Sequence, residues 1–153
     1  MSKSHNTFLL VWNPKRWSWN EDDFERKINQ IKQGQIAHDR WSCGRSKKIK
    51  IGDRIFIIQL GEEPKGIFAS GWVTEGATED QHWDDQNAPE GKTALYVNFN
   101  YDALLVPEDG LSRDILINDP RFAQMHWDSQ MSGIQIPKNI ASELEKIWSH
   151  LTL

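Results

Sequence analysis

The chain has 153 residues, 38% of them hydrophobic and 26% charged, with a formal net charge of -4 and one cysteine. That length suffices for a core without disulfides, the lone Cys43 excludes an internal one, and no apolar run approaches the roughly 20 residues of a membrane span. The polar start from Met1 to Asn6 has no signal-peptide character, so the expectation is one soluble, cytoplasmic domain over residues 1–153.

Thr7 to Trp12 (TFLLVW) reads as a short apolar strand stopped by Asn13-Pro14. Asn20 followed by Glu21, Asp22 and Asp23 is a helix start; Phe24, Ile28 and Ile31 recur at helical spacing, and Gly34 is its stop. Arg54 to Leu60 predicts a strand after the Gly52-Asp53 turn. Gly66 to Thr74 predicts another, whose two glycines suggest a bulge or a close backbone approach. Gln81 to Gly91 reads as a polar loop. Thr93 to Val106 contains a long strand in which Tyr96, Asn98, Asn100 and Asp102 alternate with Val97, Phe99 and Tyr101. A short helix near Ser112 to Ile117, a brief strand from Ser132 to Ile136 and a C-terminal helix striped by Ile140, Leu144, Ile147 and Trp148 complete the chain. About five strands with hairpin-length connections indicate an α+β domain, a small mostly antiparallel β-barrel with flanking helices.

Charge is unevenly spread. From Arg40 to Lys50 there are five basic residues and no acid, whereas Glu75 to Glu90 holds six acids and no Lys or Arg. An acidic protein can still present one basic face to a phosphate backbone. His5, His38, His82, His126 and His150 are scattered without metal-ligand spacing. With no phosphate loop or nucleophile elbow either, the expectation is a binding module with no catalytic residues, cofactor or metal.

Eight tryptophans are the strongest signal, because several sit in polar company: Trp17, Trp41, Trp83 and Trp127 each lie between polar or charged neighbours. A buried indole needs a partner for its N–H, so such residues suit sites with one apolar and one polar side. Trp41 within Arg40-Trp41-Ser42-Cys43-Gly44, ahead of Arg45, Lys47 and Lys48, has what base stacking, edge reading and phosphate contact require. Composition alone leaves it equally a core residue after the first helix. Trp72 and Trp148 read as core, and Trp12, Trp17 and Trp19 remain open between core, pocket and lid.

Four segments in order resemble an EVE domain, a member of the PUA-like superfamily that includes the YTH readers of N6-methyladenosine. They are Phe8 to Asn13, Trp41-Ser42-Cys43-Gly44, Ile51 to Ile58 with Gly66 to Gly71, and Met131 to Pro137. Asn13 to Trp17 and His126-Trp127 look closest to EVE domains fused to HNH nucleases in modification-dependent restriction enzymes. The resemblance implies a PUA-like barrel that flips 5-methyl- or 5-hydroxymethylcytosine out of DNA into a tryptophan-lined pocket. It assigns that pocket to Asn13, Trp41, Ser42, Cys43, Trp83, Trp127, Gln130 and Ser132. Phosphate contact falls to Lys15, Arg16, Arg40, Arg45, Lys47 and Lys48. No nuclease segment is recognisable, so the expectation is a stand-alone reader or the reader portion of something longer, with modified DNA as partner in preference to RNA and a nuclease partner as one option. The alternatives are an ASCH-like RNA-binding protein or small ribonuclease, an N6-methyladenine reader, and a free-nucleoside binder.

Overall fold

Local chemistry fixes the first helix. Asn20, in extended conformation, accepts the Asp23 N–H on its side chain, and Glu21, Asp22 and Asp23 place three carboxylates at the positive end of the dipole. The computed structural model, which describes residues 5–81 and 93–152, continues this helix to Lys32, before Gly34 at φ +73°.

In chain order the elements are β1 (Thr7–Trp12), α1 (Glu21–Lys32), β2 (His38–Ser42), β3 (Arg54–Gln59), β4 (Gly66–Gln81) and β5 (Thr93–Leu104). A 3-10 turn (Pro107–Asp109), β6 (Leu111–Ser112), α2 (Arg113–Asn118), β7 (Ile134–Ile136) and α3 (Lys138–Leu151) follow. Among the described residues they form a seven-stranded sheet ordered β2-β5-β4-β3-β1-β7, with β6 on β4. All pairs are antiparallel except β1 with β3, whose connection carries α1 and β2. The result is the expected α+β domain, a barrel-like curled sheet with flanking helices, left open between β2 and β7.

β1 and β3 are buried on both faces, and alternation deals their side chains to two cores. Phe8, Leu10, Ile55 and Ile57 join Trp41, Val97 and Phe99 in the first, against Phe24, Ile28 and Ile31 of α1. Leu9, Phe56 and Ile58 join Leu144, Trp148, Phe122 and Trp127 in the second, under α2 and α3. Arg54 is 4% exposed; its guanidinium forks onto Glu145 (2.9 and 3.2 Å) and reaches Asp102 at 2.7 Å, tying β3 to α3 and β5.

Four expectations change. The sequence reading contained no strand at 38–42, where β2 pairs with β5. β4 runs beyond Thr74 to Gln81, so Gln81 belongs to a strand; the rest of the anticipated 81–91 loop lies outside the described residues, and Trp83 with it. Trp72, expected in the core, is 39% exposed. The cause is a register slip between Ile57 and Ile58. Opposite it Phe68 and Ala69 both enter the first core, so alternation then turns Ser70 and Trp72 away from that core. Trp127, expected in a pocket, is 1% exposed in the second core and donates its indole N–H to the Phe122 carbonyl at 2.8 Å. Trp148 is core as anticipated, its N–H on Ser70 Oγ at 2.8 Å.

Candidate functional site

Where β1 ends, the Asn13 carbonyl accepts the N–H groups of Arg16 and Trp17 at 3.0 and 3.1 Å, reversing the chain. The Asn13 carboxamide occupies the space a side chain would take at Gly61, where a Cβ would stand 2.2 Å from Oδ1. Trp12 donates its indole N–H to the Trp17 carbonyl at 2.9 Å, holding the returning segment over the end of the strand. The Trp17 ring then meets Trp41 edge-on, centroids 5.0 Å apart, and Trp19 lies beneath, 5.6 Å from Trp12 and 5.2 Å from Trp41. Four indoles thus gather at one end of the first core.

One hydroxyl bridges β2 and the end of β1 beside this cluster. Ser132 Oγ donates to the Ser42 carbonyl at 2.6 Å and accepts the Val11 N–H at 3.1 Å. Gly133, at φ +90°, permits the approach: a Cβ there would lie 2.2 Å from the Cys43 carbonyl oxygen.

Over this seam opens a cleft of about 470 Å³, within the usual range for small-ligand sites. Val11, Trp12 and Trp41 line its apolar part and Trp17 its rim. Asn13, Ser42, Gln130, Ser132 and Tyr96 supply polar groups; Arg16, Arg40 and Arg45 supply charge, and Gly44 and Met131 complete the lining. Trp41 is only 7% exposed and its N–H is spent on the Val11 carbonyl at 3.0 Å, so it is both core and cleft wall. Trp17 offers more open surface, at 39%.

The structure therefore brings together Asn13, Trp41, Ser42, Gln130 and Ser132, with Arg16, Arg40 and Arg45 beside them. Lys15, Lys47 and Lys48 are exposed but do not line the cleft. Ser132 serves the backbone with both hydrogen-bonding directions of its hydroxyl. Cys43 and Trp127 do not reach the cleft. The Cys43 side chain turns into the first core, with its thiol 3.6 Å from the Ser46 carbonyl. Burial pushes that thiol up to about 11, so about one part in a thousand is thiolate at pH 8. A disulfide reagent at pH 8 should leave native Cys43 unmodified while labelling the unfolded chain fully; rapid native labelling would put the thiol at the surface.

Tyr96 and Met131 were not anticipated as lining. The β5 alternation already set Tyr96 on the face of Asn98 and Asn100, but only its pairing with Ser42 brings it to the cleft.

Under the indoles runs a charged network. Lys27, with its side chain 11% exposed, stands 3.0 Å from Asp23 and 2.9 Å from Asp39. Asp23 accepts the Trp19 N–H at 2.9 Å, and Asp39 accepts the Tyr101 hydroxyl at 2.7 Å and the Arg40 N–H at 2.8 Å. Burial opposes ionisation of Asp23, but Trp19, Lys27 and Arg26 outweigh it and hold the carboxyl below its ordinary value. For Tyr101, burial first and then Asp39 push the phenol well up. α1 and β2 are thereby fixed to each other directly beneath the cleft.

No family model matches the chain, and no curated protein does. Solved structures do. A hypothetical protein from Leishmania major is 12% identical at a TM-score of 0.64, with 96% of each chain covered. A protein from Pseudomonas syringae is 15% identical at 0.65, covering 92% of this chain and 98% of its own. These similarities establish a shared fold. A YTH domain, 11% identical over 95% of this chain and 96% of that one, aligns at 0.47, below what a shared fold requires.

Proposed function

We propose that the protein binds a modified base in nucleic acid, with 5-methyl- or 5-hydroxymethylcytosine in DNA as the preferred target. The observation that carries this reading is the cleft itself: indoles, amide and hydroxyl groups and three arginines converge on one opening sized for a small planar ligand. Its described lining contains no carboxylate or imidazole, so the charge it offers is positive, as a phosphate-bearing ligand needs.

The base leaves its stack and enters the cleft, with Trp17 and the exposed part of Trp41 supplying ring surface. Extrusion costs a few kcal/mol, which stacking at about 1–3 kcal/mol and edge hydrogen bonds offset. Asn13, Gln130 and Ser42 meet the base edge. A methyl seated against the Trp12 and Val11 side adds discrimination of roughly 10-fold or more.

Binding to duplexes that differ only in one central cytosine, plain, 5-methyl or 5-hydroxymethyl, tests the reading, with N6-methyladenine duplexes and RNA as comparisons. A preference of several-fold for a 5-modified cytosine is expected. Equal affinity for every duplex would end the modified-base reading, and a preference for N6-methyladenine would redirect it.

A further inference from the structure

β2, β5 and β4 present a polar strip, on the face turned from the first core, that begins inside the cleft. Register sets Ser42 beside Tyr96, Arg40 beside Asn98, His38 beside Asn100, and Asn100 beside Trp72. Directly paired residues on antiparallel strands share a face. The strip leaves the cleft at Arg40, whose guanidinium lies 4.3 Å from the Tyr96 ring. His38 follows, its ring nitrogens each 3.1 Å from the side-chain oxygens of Asn98 and Asn100. The strip ends on Trp72, with the Arg54 guanidinium 4.7 Å from its ring and the His5 ring 5.0 Å away.

From Tyr96 to Asn100 the strand advances about 14 Å, the length of a few nucleotides in an extended strand. Of the described acids on this face, Glu75 accepts the Asn98 amide at 3.0 Å, and Asp102 and Glu145 hold Arg54. Trp72 is an exposed indole with a cation against it, the kind of platform that binds bases without reading their sequence.

We infer that this strip carries the single strand flanking the base held in the cleft. Arg40 meets a phosphate, the His38 ring holds the Asn98 and Asn100 side chains along the path of the strand, and Trp72 stacks a base a few nucleotides away. The inference rests on the nucleic-acid reading of the cleft, and its test separates the two. Affinity is measured for single-stranded DNA of three and of nine nucleotides, each with a central 5-methylcytosine, on the wild-type protein and on Trp72→Ala, Trp72→Phe and His38→Ala.

Trp72→Ala and His38→Ala should weaken the nonamer about fivefold or more and leave the trinucleotide unchanged, with Trp72→Phe restoring most of the loss. Nonamer affinity unchanged in both alanine variants, or equal losses at both lengths, overturns the strip while leaving the cleft reading intact. Failure of the wild-type protein to bind either oligonucleotide while it binds a 5-methylcytosine duplex overturns the strip, and failure to bind duplex and oligonucleotides alike overturns both. Thermal melting of each variant identifies any loss that comes from unfolding.

Discussion

Trp41→Ala should lower stability by about 3–5 kcal/mol, the usual range for deleting a buried large aromatic. The sequence left Trp41 open between a stacking wall and a core residue, and a mere wall could be truncated with the melting temperature nearly unchanged. The structure makes it both. The ring is 7% exposed, packs at 5.0 and 5.2 Å from Trp17 and Trp19, and spends its N–H on Val11. Truncation opens a cavity in the first core and leaves the Val11 carbonyl without that donor. For a domain of about 150 residues this corresponds to a drop of roughly 6–20 °C. A melting temperature within a degree or two of wild type would mean that the ring is not packed as described. Loss of binding in this variant says little by itself about stacking. Trp17→Ala, removing the more exposed ring, is the cleaner probe of ligand contact.

Replacing Arg16, Arg40 and Arg45 together by Gln should remove most of the salt dependence of nucleic-acid binding. Each phosphate neutralised on duplex DNA contributes about 0.9 to the slope of log affinity against log salt. Three such contacts give a slope of about -2.7, or roughly 40-fold weaker binding between 50 and 200 mM salt; on a single strand the slope falls to about -2.1. The triple variant should lose that slope and, at low salt, most of its affinity. Lys47→Gln with Lys48→Gln, outside the cleft, should change the slope less. A slope unchanged in the triple variant would show that the rim arginines do not touch phosphate. Wild-type binding with no salt dependence would favour a free nucleoside as ligand.

The elements whose apolar residues carry the periodicity were legible in the sequence. β1, α1, β3 and α3 lie close to their predicted positions because helical spacing, alternation and an Asn cap all act locally. β2 was hidden because one of its two inward positions is Asp39, whose burial depends on Lys27 and Tyr101 from other elements. No alternation of apolar residues announces such a strand. Trp72 misled for the converse reason: its neighbours are apolar, and only the register slip turns it outward. Polar flanks pointed equally to Trp17, Trp41 and Trp127. They could not separate an indole at a cleft from one buried between exposed His126 and Asp128 with a backbone carbonyl for its N–H. Of the residues read as one pocket, those that share a cleft are the ones set by chain ends meeting: Asn13 after β1, Trp41 and Ser42 on β2, and Gln130 and Ser132 before β7.

The Ser132 hydroxyl gives that meeting place a distinct mechanical character. Elsewhere the curled sheet is held by ladders of backbone hydrogen bonds, so prying two strands apart breaks many bonds together. At the seam the described links are the Ser132 hydroxyl, which bridges Val11 and Ser42, and the Trp41 indole N–H on the Val11 carbonyl. The walls of the cleft stand on either side of this joint. Widening the cleft at the seam therefore breaks side-chain bonds rather than a ladder, and it moves Trp41 on β2 relative to Trp12 at the end of β1.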